Sequence, residues 1–255
     1  MQQQPRYPSM SIIIPARNEA QNLYHILPGL ASIAGEIILV DGHSTDDTIE
    51  VAKQLIPSIR ILQQPGRGKG DALRAGFAAS TGDILVMFDA DGSADPAEID
   101  RFVAALMRNH DFVKGSRYIK GGGSRDLTWL RSLGNYGLCT VVNILFQRNF
   151  SDFCYGYNAF WRHCLDRLDL DCTGFEIEAQ LCLRMHRAGF NIVEVPSVEL
   201  ERIYGESNLH AFRDGWRILK TILRERFAKA PAPCYTYNSG SLPSSLDLLK
   251  EVSAR

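Results

Sequence analysis

Gly82-Asp83-Ile84-Leu85-Val86-Met87-Phe88-Asp89-Ala90-Asp91-Gly92-Ser93 is the stretch from which the architecture of this 255-residue chain is read. A short apolar run, Ile84 to Phe88, is opened by Thr81-Gly82 and closed by Asp-x-Asp-Gly, which predicts a central strand of a parallel sheet. In open α/β sheets the ligand site lies just beyond the carboxyl ends of the strands, where Asp89 and Asp91 stand. Side chains at i and i+2 of an extended segment point the same way, so both carboxylates can face one ligand. Two anions that close repel unless a cation or a shared proton holds them. A hard divalent ion, Mg²⁺ or Mn²⁺, also bound to a diphosphate, answers that need. The alternative is a polar turn in which Asp95 caps a helix and the other acids are solvated.

Outward from this strand, the preceding chain repeats one unit. Met10 to Pro15 reads as a first buried strand ended by its proline, and Asn18 to about Ile33 as a helix with Leu23, Ile26, Leu27 and Leu30 on one face. Glu36 to Val40 is the second strand, followed by the turn Asp41 to Asp46 and a helix running to about Leu55. Ile59 to Leu62 is a third strand. Its loop, Gln64-Pro65-Gly66-Arg67-Gly68-Lys69-Gly70, reads as mobile and leads into a helix from Asp71 to Ala79. After the central strand, Asp95-Pro96-Ala97-Glu98 carries an N-cap, a proline at the first helical position and a variant capping box. Strand and helix alternate four times over the first ~110 residues, predicting a mostly parallel sheet with helices on both faces. Beyond Asp111 the rhythm breaks. A short strand and turn, Phe112 to Tyr118, is followed by helices over Leu127–Phe146, Phe175–Ala188 and Asn208–Phe227, with a strand at Asn191–Pro196. The catalytic domain is expected over residues 9–228. Residues 229–255, rich in Pro, Ser, Gly and Asn, are expected to be a loose tail.

Net charge is −1, so no global field favours nucleic acid. The six cysteines form no C-x-x-C pair and suit a reducing, cytoplasmic compartment. Met1 to Pro8 lacks an apolar signal core, and Ser132 to Gln147, the longest stretch without formal charge, is too short and polar to span a bilayer. Peripheral contact with the inner face of the membrane is compatible with all of this.

If the paired acids hold a metal diphosphate, a nucleotide must be bound. Candidates at the carboxyl ends of the first three strands are Pro15, Arg17 and Glu19, then Asp41, then Lys69. Each also has a plain structural reading: Glu19 as a first-turn acid, Asp41 as a turn former, Lys69 and Arg67 as surface charge. Gly66 to Gly70 has the spacing of neither a P-loop nor a dinucleotide fingerprint.

Together the segments Ile12 to Glu19, Ile38 to Thr48, Gly68 to Ala72, Asp89 to Asp91, Gly115 to Tyr118, Glu194 to Pro196 and Arg202 to Asn208 resemble the family-two glycosyltransferases. The likeness is greatest to the polyprenyl-phosphate (dolichyl-phosphate) mannosyl- and glucosyltransferases, and it covers about residues 10 to 227. It implies an A-type, Rossmann-like glycosyltransferase fold. It also implies a nucleotide contact at Asp41, a metal diphosphate at Asp89 and Asp91, and donor and acceptor phosphates near Arg117, Arg131 and Arg202. Ser207-Asn208 stands where Ser-Lys is usual, which leaves Ser207 as the substrate contact of that pair. The membrane helices that many relatives carry after the catalytic domain are not seen in this sequence.

The implied reaction is inverting, metal-dependent transfer of a hexose from a nucleotide sugar, GDP-mannose or UDP-glucose, to a polyprenyl phosphate. A hydroxyl acceptor needs a general base, whereas a phosphate acceptor is already anionic. Asp152 is the foremost candidate to meet the acceptor, with Glu176 and Glu178 next. Rival readings are transfer to a hydroxyl acceptor, a sugar nucleotidyltransferase, and a non-catalytic nucleotide-sugar-binding module. The last helix carries Leu209, Phe212, Trp216, Leu219, Leu223 and Phe227 in one stripe at ~100° per residue, with Arg213, Arg217, Lys220 and Arg224 beside it. Such a strip suits the headgroup boundary of an anionic bilayer; equally, it could pack on the core with the arginines at its edge.

Overall fold

A computed structural model describes residues 7–205 and 209–228. The expected tail, 229–255, and the Ser207-Asn208 pair lie outside the described residues. Seven strands form one sheet in the order β3-β2-β1-β4-β7-β5-β8. These are β1 (Met10–Ala16), β2 (Glu36–Asp41), β3 (Arg60–Gln63), β4 (Ile84–Met87), β5 (Phe112–Ser116), β7 (Asn158–Trp161) and β8 (Ile192–Pro196). A two-stranded sheet pairs β6 (Gly123–Ser124) with β9 (Val198–Glu199). The helices are α1 (Ala20–Ala31), α2 (Thr48–Leu55), α3 (Lys69–Ala79), α4 (Ile99–Leu106), α5 (Trp129–Phe146), α6 (Ile177–Arg187) and α7 (Ala211–Phe227).

Alternate residues of the apolar runs face opposite cores, which is why the runs are continuous rather than alternating. On one side Ile13, Ile38, Val40, Leu85 and Met87 pack with α3, α5, α6 and α7. On the other, Ile12, Ile14, Leu39, Val86 and Phe88 pack with α1, α2 and α4. Each fully buried aliphatic side chain contributes about 1.5–3 kcal/mol.

Two local expectations need correction. Pro15 does not end β1; it pairs with Val40 and the strand runs on to Ala16. Pairing with β4 stops at Ile13, so the N–H that proline lacks would point where no strand remains. Glu98 does not close a capping box. Asp95 alone accepts from the Ala97 N–H at 2.9 Å, while Glu98 accepts from Ser197 and from the Val198 N–H, tying α4 to the chain after β8. The sequence reading also missed β7, which enters the sheet antiparallel between β4 and β5.

Gly76 of α3 lies against β1, where an added Cβ would stand 2.4 Å from Ile13 Cγ2. Gly134 of α5 has nothing within 4 Å of the same position. Glycine to alanine favours an exposed helix by up to about 1 kcal/mol, whereas overpacking costs about 1–3 kcal/mol. Urea unfolding should therefore show Gly134→Ala neutral or stabilised and Gly76→Ala less stable than the parent.

Candidate active site

A cleft of about 710 Å³ opens at the carboxyl ends of β1, β2 and β4, within the range usual for small-molecule sites. Its floor is the turn after β4. Asp91 Oδ1 accepts from the N–H (3.0 Å) and hydroxyl (2.7 Å) of Ser93, which fixes the carboxylate. Gly92 has φ +78°, and a Cβ there would meet Ile203 at 2.7 Å, so glycine serves both the backbone and the segment lying over it. That segment is tethered by Leu200 N–H to Ser93 O (2.8 Å) and by Tyr204 N–H to Asn22 Oδ1 (3.0 Å). Arg202 is thereby set 2.7 Å from Asp91 and 3.5 Å from Glu19.

Asp89 meets Lys69. The ammonium lies 2.6 Å from Asp89 and 2.6 Å from Glu178 of α6. The expected mobility of the Gly66–Gly70 loop is not what brings it there: Lys69 is the first residue of α3, and the N–H groups of Gly70 and Asp71 donate to Thr173 O at 2.8 and 3.2 Å. A Cβ on Gly68 would come within 2.4 Å of Thr173 O, and one on Gly70 within 2.6 Å of Cys172 O. The two glycines let the helix start press on that backbone and aim Lys69 into the cleft.

Burial alone would lower the Lys69 pKa, but Asp89 and Glu178 more than offset it, so the ammonium stays charged far above neutrality. Burial raises the Asp89 carboxyl above its ordinary range; Lys69 opposes this while Asp91 and Glu178 add to it. Glu19 is raised too, chiefly by burial, against bonds to Asn22 and Arg202. Four carboxylates thus share two cations. Hard oxygen donors with uncompensated negative charge fit Mg²⁺ or Mn²⁺, with Asp89 and Asp91 the residues to hold it. Another metal-competent group, Asp111, His163 and Cys164, lies at the opposite end of the sheet, beside the start of β5. Cys154 lines the cleft, but burial pushes its thiol up to about 12, so it is no thiolate nucleophile at neutral pH.

Of the residues expected from the sequence, Pro15, Arg17, Glu19, Lys69, Asp89, Asp91, Arg131, Glu178 and Arg202 line this cleft. Asp41, Arg117 and Asp152 do not. Asp41 is buried and accepts from Ser44 N–H (3.2 Å) and Gln63 Nε2 (3.1 Å), while its neighbours Gly42 and His43 reach the cleft. Asp152 is fully buried; its carboxylate accepts from Arg117 Nε at 2.7 Å and Nη2 at 3.0 Å. Arg117 gives its remaining nitrogen to Glu199 at 3.0 Å. This ion triad is buried behind the cleft, and of its members only Glu199 lines it. Glu176 turns back to the Gly174 N–H at 3.1 Å. Arg131 is half-buried, 3.4 Å from Asp126.

The sequence between residues 11 and 168 matches the profile of glycosyl transferase family 2. The chain is a family-2 glycosyltransferase. Polyprenol monophosphomannose synthase of Mycolicibacterium smegmatis is 32% identical to this glycosyltransferase over 216 residues, which cover 78% of this chain and 80% of that one. Dolichol-phosphate mannosyltransferase of Pyrococcus furiosus is 31% identical over 209 residues, covering 78% of this chain but only 59% of its own length. Glucosyl-3-phosphoglycerate synthase of Mycobacterium tuberculosis, crystallised with Mn²⁺, UDP and phosphoglyceric acid, matches the fold with a TM-score of 0.69 at 21% identity, over 87% of this chain and 80% of that chain. The fold of this glycosyltransferase is accordingly the A-type fold.

Three groups at the site escaped the sequence reading. Glu199 faces both the cleft and Arg117, and nothing in its neighbourhood marked it. Arg213 and Arg217 of α7 line the cleft, though their stripe looked like a membrane edge. Gly156 is the third: a Cβ there would stand 2.6 Å from Glu178, 2.8 Å from Lys69 and 3.0 Å from Asp89. These atoms are the far ends of side chains that can shift, so Gly156→Ala should leave the unfolding midpoint nearly unchanged. Displacing three charged groups by fractions of an ångström should lower turnover by about 10²-fold, read in a donor-consumption assay.

Proposed function

We propose that this glycosyltransferase transfers a hexose from a nucleotide sugar to a polyprenyl phosphate, inverting the anomeric carbon, with a divalent ion held by Asp89 and Asp91. The observation that carries the donor half is the pairing of both carboxylates with Lys69 and Arg202 in one cleft. A metal diphosphate brings positive charge to the acids and negative charge to the two cations, so each partner in these pairs has a new partner in the complex. The ion, when bound, supplies Lewis-acid stabilisation of the leaving diphosphate. Lys69 and Arg202 add fixed positive charge where the leaving group develops its own negative charge. One acceptor oxygen forms the new bond to the anomeric carbon as the bond to the diphosphate breaks, and the electron pair departs with the nucleoside diphosphate.

The acceptor half rests on the names of the two relatives at 31–32% identity and on the surface beside the cleft. Asp152, the residue expected to meet the acceptor, is spent on Arg117, and an anionic phosphate needs no base. Among the described residues no helix is long and apolar enough to cross a membrane. Yet α5 and α7 both turn apolar side chains outward: Trp129 (77% exposed), Leu133, Tyr136 and Ile144 on α5, Phe212 (82%), Trp216 (56%), Leu223 and Phe227 on α7. On this reading the enzyme sits peripherally on the membrane that holds its acceptor, with the aromatic rings at the headgroup level.

Incubation with GDP-mannose, UDP-glucose and close relatives, with Mn²⁺ or Mg²⁺ and polyprenyl phosphate, should release nucleoside diphosphate and yield a glycosylated lipid phosphate. Release of pyrophosphate would make it a nucleotidyltransferase instead. Asp91→Asn should abolish turnover. It should also lose the stabilisation by Mn²⁺ plus nucleoside diphosphate, which reaches ~2.7 kcal/mol in the parent at a hundredfold excess over Kd. An equal shift in both proteins would sink the metal assignment.

Sedimentation with vesicles tests the membrane contact. The parent should pellet with anionic vesicles and Phe212→Ser, Trp216→Ser should not; a parent that stays in the supernatant with every lipid refutes it.

A further inference from the structure

The cations around the cleft differ in how far carboxylates answer them; Arg17, Arg67 and Arg131 also line it, Arg131 at 3.4 Å from Asp126. Lys69, Arg202 and Arg117 each stand between two carboxylates: Asp89 and Glu178, Asp91 and Glu19, Asp152 and Glu199 respectively. On α7 the ratio is reversed. Arg213 Nε and Arg217 Nη1 lie 3.3 and 3.7 Å from a single oxygen, Asp214 Oδ1, whose partner Oδ2 accepts from the His210 N–H at 2.8 Å. The longer of these distances is beyond a hydrogen bond. Both arginines line the cleft, with more than half of each side chain exposed. One turn apart on a helix, they present two donor forks to one ligand, the geometry suited to phosphate oxygens.

The residues next to them have a different character. Phe212 and Trp216 each precede one arginine, and at ~100° per residue they look away from the buried face of α7 formed by Asp214, Ile218, Thr221, Ile222 and Glu225. The helix therefore offers a ligand two adjoining surfaces: arginines that line the cleft and, one residue before each, exposed apolar rings outside that lining.

Resting on the acceptor reading above, we infer that Arg213 and Arg217 are the phosphate site of the acceptor, and that its apolar chain leaves the cleft across Phe212 and Trp216. The ligand class is a phosphate monoester carrying one apolar chain. The basic stripe of α7 then serves the acceptor's head as well as any bilayer, and the adjoining apolar strip serves its tail.

The test is calorimetric titration of the full chain, saturated with Mn²⁺ and whichever of GDP or UDP stabilises it. The probes are a water-soluble ten-carbon isoprenyl phosphate, the matching isoprenol, and 3-phosphoglycerate. The parent should bind the isoprenyl phosphate, and the isoprenol at least tenfold more weakly. Arg213→Gln, Arg217→Gln should weaken isoprenyl-phosphate binding tenfold or more and change nucleotide affinity less than twofold, because both side chains are exposed and the fold is kept. Phe212→Ser should weaken the isoprenyl phosphate and leave 3-phosphoglycerate unaffected. Failure of the parent to bind isoprenyl phosphate, or unchanged binding in the double variant, would overturn the site. Equal loss of nucleotide and isoprenyl phosphate would assign the arginines to the donor and overturn it as well. Tighter binding of 3-phosphoglycerate than of isoprenyl phosphate would overturn the lipid half. Binding through these arginines without sugar transfer to the same compound would leave the phosphate site standing and count against the polyprenyl-phosphate acceptor reading.

Discussion

The site turns on a charge balance. Asp89 and Asp91 leave β4 on the same side, in a partly buried cleft where Glu178 and Glu19 add two more carboxylates. Carboxylates so placed repel one another and resist burial, and the two cations set among the four, Lys69 and Arg202, answer only part of that charge. Most of the local backbone serves that end. Gly68 and Gly70 let α3 begin against Thr173, Gly156 leaves room where Lys69, Asp89 and Glu178 converge, and Gly92 lets the Arg202 segment lie over the turn. Four glycines scattered over the chain thus share one purpose.

The sheet and its helices were legible because buried parallel strands write themselves as unbroken apolar runs, and β1, β2 and β4 are such runs. The position of the acids followed directly, since strand ends in this architecture carry the ligand. What could not be read was which charges are spent on each other. Arg117, Asp152 and Glu199 look like three independent polar residues along the chain, and only folding joins them into a buried triad. Strand β7 was hidden for a related reason: four residues, Asn158–Trp161, carry little periodicity, and their partners lie far away in the chain.

Helix α7 shows the same limit in another form. Its two stripes were correctly placed round the helix, but an apolar stripe is ordinarily the one that packs inward. Here the inward face holds Glu225, fully buried, because α6 presents Gln180, Arg184 and Arg187 to it at 3.0–3.2 Å. The last turn of one helix needed a counter-ion, the neighbouring helix supplied it, and the apolar stripe was left facing out.

The antiparallel insertion of β7 has a consequence for how the chain reaches this state. The first half, through β4, can assemble from neighbouring βα units as it leaves the ribosome, but the open side of β4 finds its partner only when Trp161 has been made. Until then the most apolar strand of the sheet is an uncovered edge, the kind that templates pairing with other chains. The centre of the sheet is therefore closed late, and β8 adds to its rim later still. Asp89 and Asp91 gain Glu178 and Arg202 only after that closure, so the nascent first half holds the acids of the site without most of what surrounds them.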